Sequence, residues 1–351
     1  MTVSDPLRTR LARHLEGTRD APEADLAAAG WVDATGRFLP GTGCLFGADI
    51  GGTKVQSVLT DLNGAVIADI RTETPAVGGD AVIDLLIAHL TQMRRATEAP
   101  LRAAGVGLPG AVHPVTGELD RAPNLSGLAG RDLRALLTDR LGVPTAVEND
   151  VNLAALGEGW LGHGRAAATL SGGLAFLALG TGIGMGLAWG DRILRGALGA
   201  AGEVAALPIG ADPFDPATHD CGALEAVVSG AALVADYRAS GGRHAGQTLR
   251  DITRDRATDD PALDAVMDRL AQRTALAVLS IDAIVNPALF VFGGGIGSQP
   301  ALLDRIRSAL ARAMPDGMPV PDCRTSLLGN RAGVIGAVRA ARLSLADGLR
   351  D

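Results

Sequence analysis

Three short stretches hold residue types that can handle a phosphate and a proton: Asp49-Ile-Gly-Gly-Thr-Lys54, Glu148-Asn-Asp150 and Gly180-Thr-Gly182. Glycine lacks a Cβ, so the backbone N–H groups around Gly51 and Gly52 can close on an anion. Thr53 adds a hydroxyl, and Asp49, at the end of an apolar run, can hold Mg²⁺ directly or through water. The same residues also suit a plain glycine hairpin. Glu148, Asn149 and Asp150 stand where a strand runs into a helix. A carboxylate at the C-terminal edge of a strand faces the usual ligand crevice of an α/β fold, whereas an Asx pair there also suits a helix cap. One of these residues can cap while another serves as base.

The elements around these stretches narrow the chemistry. Leu45 to Ile50 reads as a buried strand and Val55 to Leu59 as a second. Ala65 to Ile70 reads as a third, after the tight-turn signal Asn63-Gly64. No helix follows the first glycines, which excludes a dinucleotide fingerprint and a Walker loop, since both need a helix N-terminus there. Lys54 falls in a hairpin strand and reads as a solvated or structural lysine. Apolar residues at helical spacing predict a helix over residues 81–98. Leu101 to Leu108 is a buried strand ending in Pro109-Gly110, and Pro123-Asn124 lies in a loop. Arg131 to Leu141 is a helix stopped by Gly142 and Pro144.

From Leu174 to Gly190 the opening layout returns: apolar strand, Gly180-Thr-Gly182 turn, small-residue strand, then a further strand from Asp191. The match predicts an internal duplication, with two glycine-hairpin units facing one another across a cleft. Gly222-Ala-Leu-Glu225 opens an apolar helix over residues 226–237. A long helix is expected from Asp260 to Ile284, and a strand from Ala288 to Phe292. Gly293-Gly-Gly-Ile-Gly297 then stands at a strand-to-helix turn, where a flat ring can lie against bare backbone. The chain ends in an Ala-rich, mostly helical segment from Gly329 to Leu349.

With 351 residues the chain has room for two domains, and 47% hydrophobic against 20% charged residues supplies a large core. Aromatics make up only 3%, which argues against stacking as the main way of binding bases. A net charge of −7 argues against a broad nucleic-acid surface. Cys44, Cys221 and Cys323 are widely spaced and form no CxxC pair, as expected of reduced thiols in a cytoplasmic protein. The polar N-terminus carries Arg8, Arg10 and Arg13 without a signal-peptide core. No uncharged apolar run reaches transmembrane length, so no membrane partner is expected. Residues 6–16 and 24–29 read as short helices, and Trp31 to Phe38 as a hairpin turning at Thr35-Gly36. A winged helix would need a full second helix to enter a DNA groove. The Gly17 to Pro22 stretch leaves no room for one, so residues 1–44 read as a helical, wing-like extension.

Taken together these motifs resemble the ROK family (repressors, open reading frames and sugar kinases) of the actin-like ATPase superfamily. The carriers are Asp49-Ile-Gly-Gly-Thr-Lys54, Leu108-Pro-Gly110, Ala122-Pro-Asn124, Glu148-Asn-Asp150, Gly180-Thr-Gly182, Gly199-Ala-Ala-Gly-Glu203 and Gly293-Gly-Gly-Ile296, spread over about residues 45 to 345. The resemblance implies a two-domain α/β fold, actin-like and ribonuclease H-like, with duplicated hairpin-containing mixed sheets and an interdomain cleft. Residues 45–150 plus 332–351 would form the smaller domain and residues 151–331 the larger. It implies ATP and Mg²⁺, with phosphates at Asp49, Gly51, Gly52, Thr53, Gly180, Thr181 and Gly182, and adenine near Gly294 and Gly295. A sugar would lie against Pro109, Gly110, Asn124, Asn149, Asp150, Glu203 and Glu225, with Asp150 as catalytic base. The family also suggests a homodimer.

The chain departs from the family's kinases at two places. They usually carry a histidine three residues after the Glu of the Gly-Glu motif, where this chain has Ala206. They also carry a three-cysteine zinc cluster, where this chain reads Thr218-His-Asp-Cys-Gly-Ala-Leu-Glu225. His219 and Cys221 cannot by themselves make a four-ligand tetrahedral site, so no structural zinc is expected. These features, with Leu207-Pro-Ile-Gly-Ala-Asp-Pro213, resemble the family's transcriptional regulators, and residues 27–41 resemble the end of a recognition helix plus a wing. Two functions follow: an ATP-dependent kinase of a hexose or hexose derivative, and a sugar-responsive regulator, for which DNA would be a partner. A kinase using another phosphoryl donor, such as polyphosphate, is a third.

Overall fold

The computed structural model describes residues 5–17, 24–113, 116–120, 127–128, 130–166, 171–244, 248–254 and 260–350. The chain forms two compact units. Met1–Trp160, Arg195–Ala200 and Arg331–Asp351 make the first, and Leu161–Leu194 with Ala201–Asn330 the second.

Unit 1 is built on strands β1 (Cys44–Ile50), β2 (Lys54–Asp61), β3 (Val66–Glu73), β4 (Leu101–Leu108) and β7 (Thr145–Asn149); β5 (Ala111–Val112) and β6 (Leu119–Asp120) form a separate small pair. The sheet order is β3-β2-β1-β4-β7. The hairpins β1–β2 and β2–β3 are antiparallel. The β1–β4 and β4–β7 pairs are parallel. Phe46, Ala48 and Ile50 share a core with Val82, Ile83 and Leu86 of helix α3 (Asp80–Met93).

Glycines line the opposite side, because helix α12 (Ala332–Gly348) lies against backbone there. A Cβ on Gly105 would stand 1.9 Å from the Ala337 carbonyl oxygen. Helix α5 (Asp150–Leu161) closes on α12 in the same way, since a Cβ on Gly336 would stand 1.7 Å from the Leu153 oxygen. Such contacts leave no room for any side chain, and they account for α5 packing within unit 1. Helix α4 (Leu133–Leu141) begins on Asp132, whose carboxylate accepts from Ala135 N–H, and ends on the left-handed Gly142.

The N-terminal segment is part of this unit. Helices α1 (Asp5–Glu16) and α2 (Ala24–Ala28) bury Leu11, Ala12, Leu15 and Leu26, and Trp31, Val32 and Phe38 are buried behind them. Arg339 of α12 donates to the carbonyls of Leu15 at 2.9 Å and Glu16 at 2.7 Å, and Arg342 to that of His14 at 3.0 Å. These are the last carbonyls of α1, the acceptors a helix end leaves without partners. Asn63, in the β2–β3 turn, exchanges two 3.0 Å hydrogen bonds with the backbone of Phe38.

Unit 2 repeats the topology. Its strands β8 (Leu174–Leu179), β9 (Ile183–Trp189), β10 (Arg192–Ile193), β11 (Leu289–Gly293) and β12 (Cys323–Thr325) are ordered β10-β9-β8-β11-β12. Here too the first two neighbours pair antiparallel and the next two parallel. The duplication expected from the two glycine turns is thus a duplication of the whole sheet. Helices α9 (Pro261–Val285) and α11 (Pro300–Ala313) supply much of the core, with α8 (Leu249–Arg254) beside it and the one-turn α10 (Gly294–Gly297) between α9 and α11 in the chain.

One expected element differs. The helix read over residues 226–237 is broken into α6 (Glu225–Val228) and α7 (Gly230–Ala239). At the break Ser229 is extended, with ψ 152°, and its hydroxyl caps α7 by accepting from Ala232 N–H. Gly230 N–H meanwhile donates to Gly180 O at 3.0 Å. The apolar pattern runs through the break, so a tertiary hydrogen bond overrides periodicity here.

Candidate active site

The first glycine turn joins β1 to β2, with Asp49 paired to Gln56 and Ile50 to Val55 across the hairpin. Gly51 N–H closes the turn on Lys54 O at 2.8 Å. Thr74, just past β3, clamps it twice. Its N–H donates to Thr53 O at 3.0 Å, and its hydroxyl donates to Gly51 O at 2.7 Å. The carbonyls of Gly51, Thr53 and Lys54 are thereby engaged, while among the described residues the N–H groups of Gly52 and Thr53 have no partner. Gly52, Thr53 and Lys54 are exposed. Exposed N–H groups without a backbone partner are what an anion-binding concavity needs.

Asp49 lies at the foot of this turn under crowded conditions. A Cβ on Gly333, in the first turn of α12, would stand 2.5 Å from Asp49 Oδ2, and one on Gly107 would stand 3.4 Å from Oδ1. Burial, and secondarily the charge of Asp150, push the Asp49 carboxyl up from 3.8 to about 7. A buried carboxyl with a second carboxylate close enough to raise its proton affinity is a donor set suited to a hard divalent cation.

The junction of β7 and α5 divides its duties. Asn149 Oδ1 accepts from Val151 N–H at 2.9 Å and Asn152 N–H at 3.1 Å, so Asn149 caps α5. Asp150 Oδ1 also accepts from Val151 N–H, at 2.9 Å. The Asn149 amide donates to Gly110 O at 3.0 Å, which brings together Asn149, Gly110 and, beside it, Pro109. Glu148 is buried, and its Oε1 accepts from Asn149 N–H and from the Asn152 amide, both at 3.0 Å. Arg195 Nε donates to Glu148 Oε2 at 2.5 Å.

In unit 2 the second turn is closed by Gly180 N–H on Gly182 O at 2.9 Å. Its brace is Glu225, whose Oε2 accepts from Ile183 N–H at 2.9 Å. A Cβ on Gly182 would stand 2.2 Å from that carboxylate oxygen. Gly294, with φ +79°, tucks under the Leu179 carbonyl, and a Cβ on Gly180 would stand 3.7 Å from Gly295 N. The structure therefore brings Gly180, Thr181, Gly182, Gly294, Gly295 and Glu225 together within this unit. Glu203 is exposed, at the start of a short 3₁₀ turn (Val204–Ala206), and Ala206 is exposed too. Leu224 N–H donates to Ala205 O at 3.0 Å, stitching that turn to the segment carrying Glu225. Asn124 lies outside the described residues.

Sequence reasoning missed Thr74, the Ser229–Gly230 brace and Gly333. Thr74 is one of several polar residues in its stretch and carries no signal. Gly333 offered a clue, since a glycine at the start of an apolar helix commonly marks close approach.

The paired sheets with their glycine turns define the actin-like ATPase fold. The sequence pattern of the ROK family matches residues 45–343, and the chain belongs to that family. It is similar to a glucokinase of Streptomyces coelicolor, 30% identical over 319 residues, which are 86% of this chain and 98% of the relative. Among solved structures it resembles a ROK family glucokinase from Streptomyces griseus in complex with glucose and AMPPNP, at 26% identity and TM-score 0.72, covering 86% of this chain and 99% of that one. It also resembles in fold a ROK family transcriptional regulator, a homologue of the E. coli MLC protein. That match has 19% identity and TM-score 0.79 and covers 99% of this chain and 98% of the other. Among the described residues no helix is long and apolar enough to cross a membrane.

Proposed function

We propose that this protein transfers the γ-phosphoryl group of ATP to a hydroxyl of a hexose or hexose derivative. The observation that carries the reading is the division of labour at the β7–α5 junction. Asn149 caps the helix, and Asp150 shares its electrostatic environment with Asp49. A sugar hydroxyl is a weak nucleophile. Asp150 accepts its proton as the new O–P bond forms and the bond to ADP breaks. The remaining catalysis is positioning and charge stabilisation. Backbone N–H groups of the turns at Gly52–Thr53 and Thr181–Gly182 serve the phosphates, and the glycines at 294 and 295 serve the adenine. Asn149, Pro109, Gly110, Asn124, Glu203 and Glu225 form the sugar side of the reading.

Asp49, with its crowded carboxyl beside Asp150, fits a Mg²⁺ ion held directly or through water; when bound, that ion neutralises phosphate charge. The reading invokes no structural zinc, and it includes assembly as a homodimer in the cytoplasm. It is tested by ADP release with Mg-ATP and a panel of glucose, N-acetylglucosamine and N-acetylmannosamine, comparing the parent with Asp150→Asn. Sugar-dependent turnover lost in the variant supports it. A parent that releases ADP at the same rate with and without every sugar overturns it.

A second reading, a sugar-responsive regulator, is favoured by Ala206 at the family's histidine position. The N-terminal arginines speak against DNA contact, since Arg10 pairs with Asp25 and Arg8 donates to Gly348 O at 3.4 Å. Salt-dependent binding to the DNA upstream of its own gene would favour the regulator.

A further inference from the structure

We infer that Arg195 is a positioning residue that sets the Glu148-Asn149-Asp150 junction, and the inference rests on the kinase reading for its effect on turnover. The chain leaves β10 in unit 2, contributes residues 195–200 to unit 1, and returns to unit 2 at Ala201. Among the described residues, the polar bond holding that segment to the rest of unit 1 is the one from Arg195 Nε to Glu148 Oε2. The Arg195 side chain is 43% exposed, and that of Glu148 only 6%. The pair is therefore no ordinary surface bridge, in which both partners stay hydrated and little is gained. Without Arg195 a buried carboxylate in β7, directly before Asn149-Asp150, loses the one cation it pairs with among the described residues.

What Glu148 does with its other oxygen gives the pair its consequence. Oε1 holds the Asn149 N–H and the Asn152 amide. Asn149 in turn fixes the first N–H groups of α5 and the Gly110 carbonyl. Arg195, Glu148 and Asn149 thus form a chain of hydrogen bonds ending at the N–H groups of Val151 and Asn152, the residues directly after Asp150. Arg195 touches no reacting group in this account. It keeps Glu148 aimed, and Glu148 keeps the first turn of α5 aimed.

The test compares Arg195→Met, Arg195→Lys, Glu148→Gln and the double variant Glu148→Gln/Arg195→Met in the full chain. Hydrogen–deuterium exchange of the peptide spanning residues 148–153 should speed up in Arg195→Met and stay near parental in Arg195→Lys, while the β1–β3 peptides remain unchanged. Kinetically, Arg195→Met should lower kcat by about 10- to 100-fold and raise KM for the sugar, with KM for ATP unmoved. Lys should restore most of this. The double variant should be no worse than Arg195→Met, because the two side chains act as one unit. Parental exchange at 148–153 in Arg195→Met overturns the inference, as does a folded Arg195→Met whose two KM values rise together. If the parent turns over no sugar, the kinase reading falls by itself, and the exchange experiment still decides the role of Arg195.

Discussion

The two glycine turns share a backbone plan and differ in what braces them. In unit 1 the brace is neutral, the Thr74 hydroxyl on Gly51 O, and the charge is placed beneath the turn in Asp49. In unit 2 the strand leading to the turn ends in the apolar Leu179, and the charge has moved into the brace itself, Glu225 on Ile183 N–H. Duplicated sheets can thus keep one geometry while assigning opposite duties to their acids. One unit buries a carboxylate that the kinase reading assigns to chemistry, and the other spends its carboxylate on shape. On the kinase reading Asp150 belongs with the first class, since it raises the proton affinity of Asp49.

The largest effect that can break this comparison is at Asp150. Asp150→Asn should lower kcat by about 10²- to 10⁴-fold, the usual worth of a general base. Thermal stabilisation by Mg-ATP should survive. A variant with parental kcat would mean that the acids of unit 1 are no more chemical than Glu225.

Asp49 comes next, with effects of opposite sign on activity and stability. Its ordinary value is 3.8 and burial holds it at about 7 in the folded chain. Between these values the unfolded chain has released the proton and the folded chain keeps it, so stability falls as pH rises from about 4 to 7 and the loss is complete above 7. Asp49→Asn removes this penalty. At pH 8 the variant should be more stable than the parent by about 1–4 kcal/mol while losing Mg²⁺-dependent turnover, and the gap should vanish near pH 4. Adding Mg²⁺ should raise the melting temperature of the parent and not of the variant, narrowing the gap. Melting curves of both proteins from pH 4 to 8 check this, and a gap independent of pH would contradict it.

Glu225 should behave in the other way. Glu225→Ala leaves Ile183 N–H without its acceptor and should cost about 1–3 kcal/mol of stability, together with weaker nucleotide binding. Glu225→Gln keeps an oxygen facing that N–H and should remain near parental in both. If Gln is as damaging as Ala, the negative charge itself is needed, and Glu225 joins the chemical acids.

How much of this was legible depended on whether a feature is local in the chain. Strand, glycine turn and strand lie within twenty residues, so both hairpins and their kinship could be read from composition and period. The Asx pair announced a helix cap, and the structure gives that duty to Asn149, while the proposal of Asp150 as base came from the family resemblance. The braces were hidden because they join distant residues: Thr74 reaches back to Gly51, Glu225 to Ile183, and Arg195 to Glu148. Nothing local distinguishes Thr74 from Thr72, which faces His89 on the α3 side of the sheet. The break at Ser229 was hidden for the same reason, since its cause is a carbonyl on another turn, Gly180 O.

Thr74 carries the smallest expected effect and the finest distinction. Thr74→Val keeps the shape and the N–H bond to Thr53 O and removes only the hydroxyl that donates to Gly51 O. The lost hydrogen bond should cost about 0.5–1.5 kcal/mol in thermal or denaturant unfolding. Because the Gly51 carbonyl is only half-buried, water can replace part of the bond, which places the cost toward the low end. The turn's N–H groups lose one of two clamps, so KM for ATP should rise a few-fold with kcat nearly unchanged. This separates a brace that shapes the phosphate cradle from the acids beneath it, whose loss should appear in kcat. A fall in kcat with unchanged KM would move Thr74 from the first class of residue to the second.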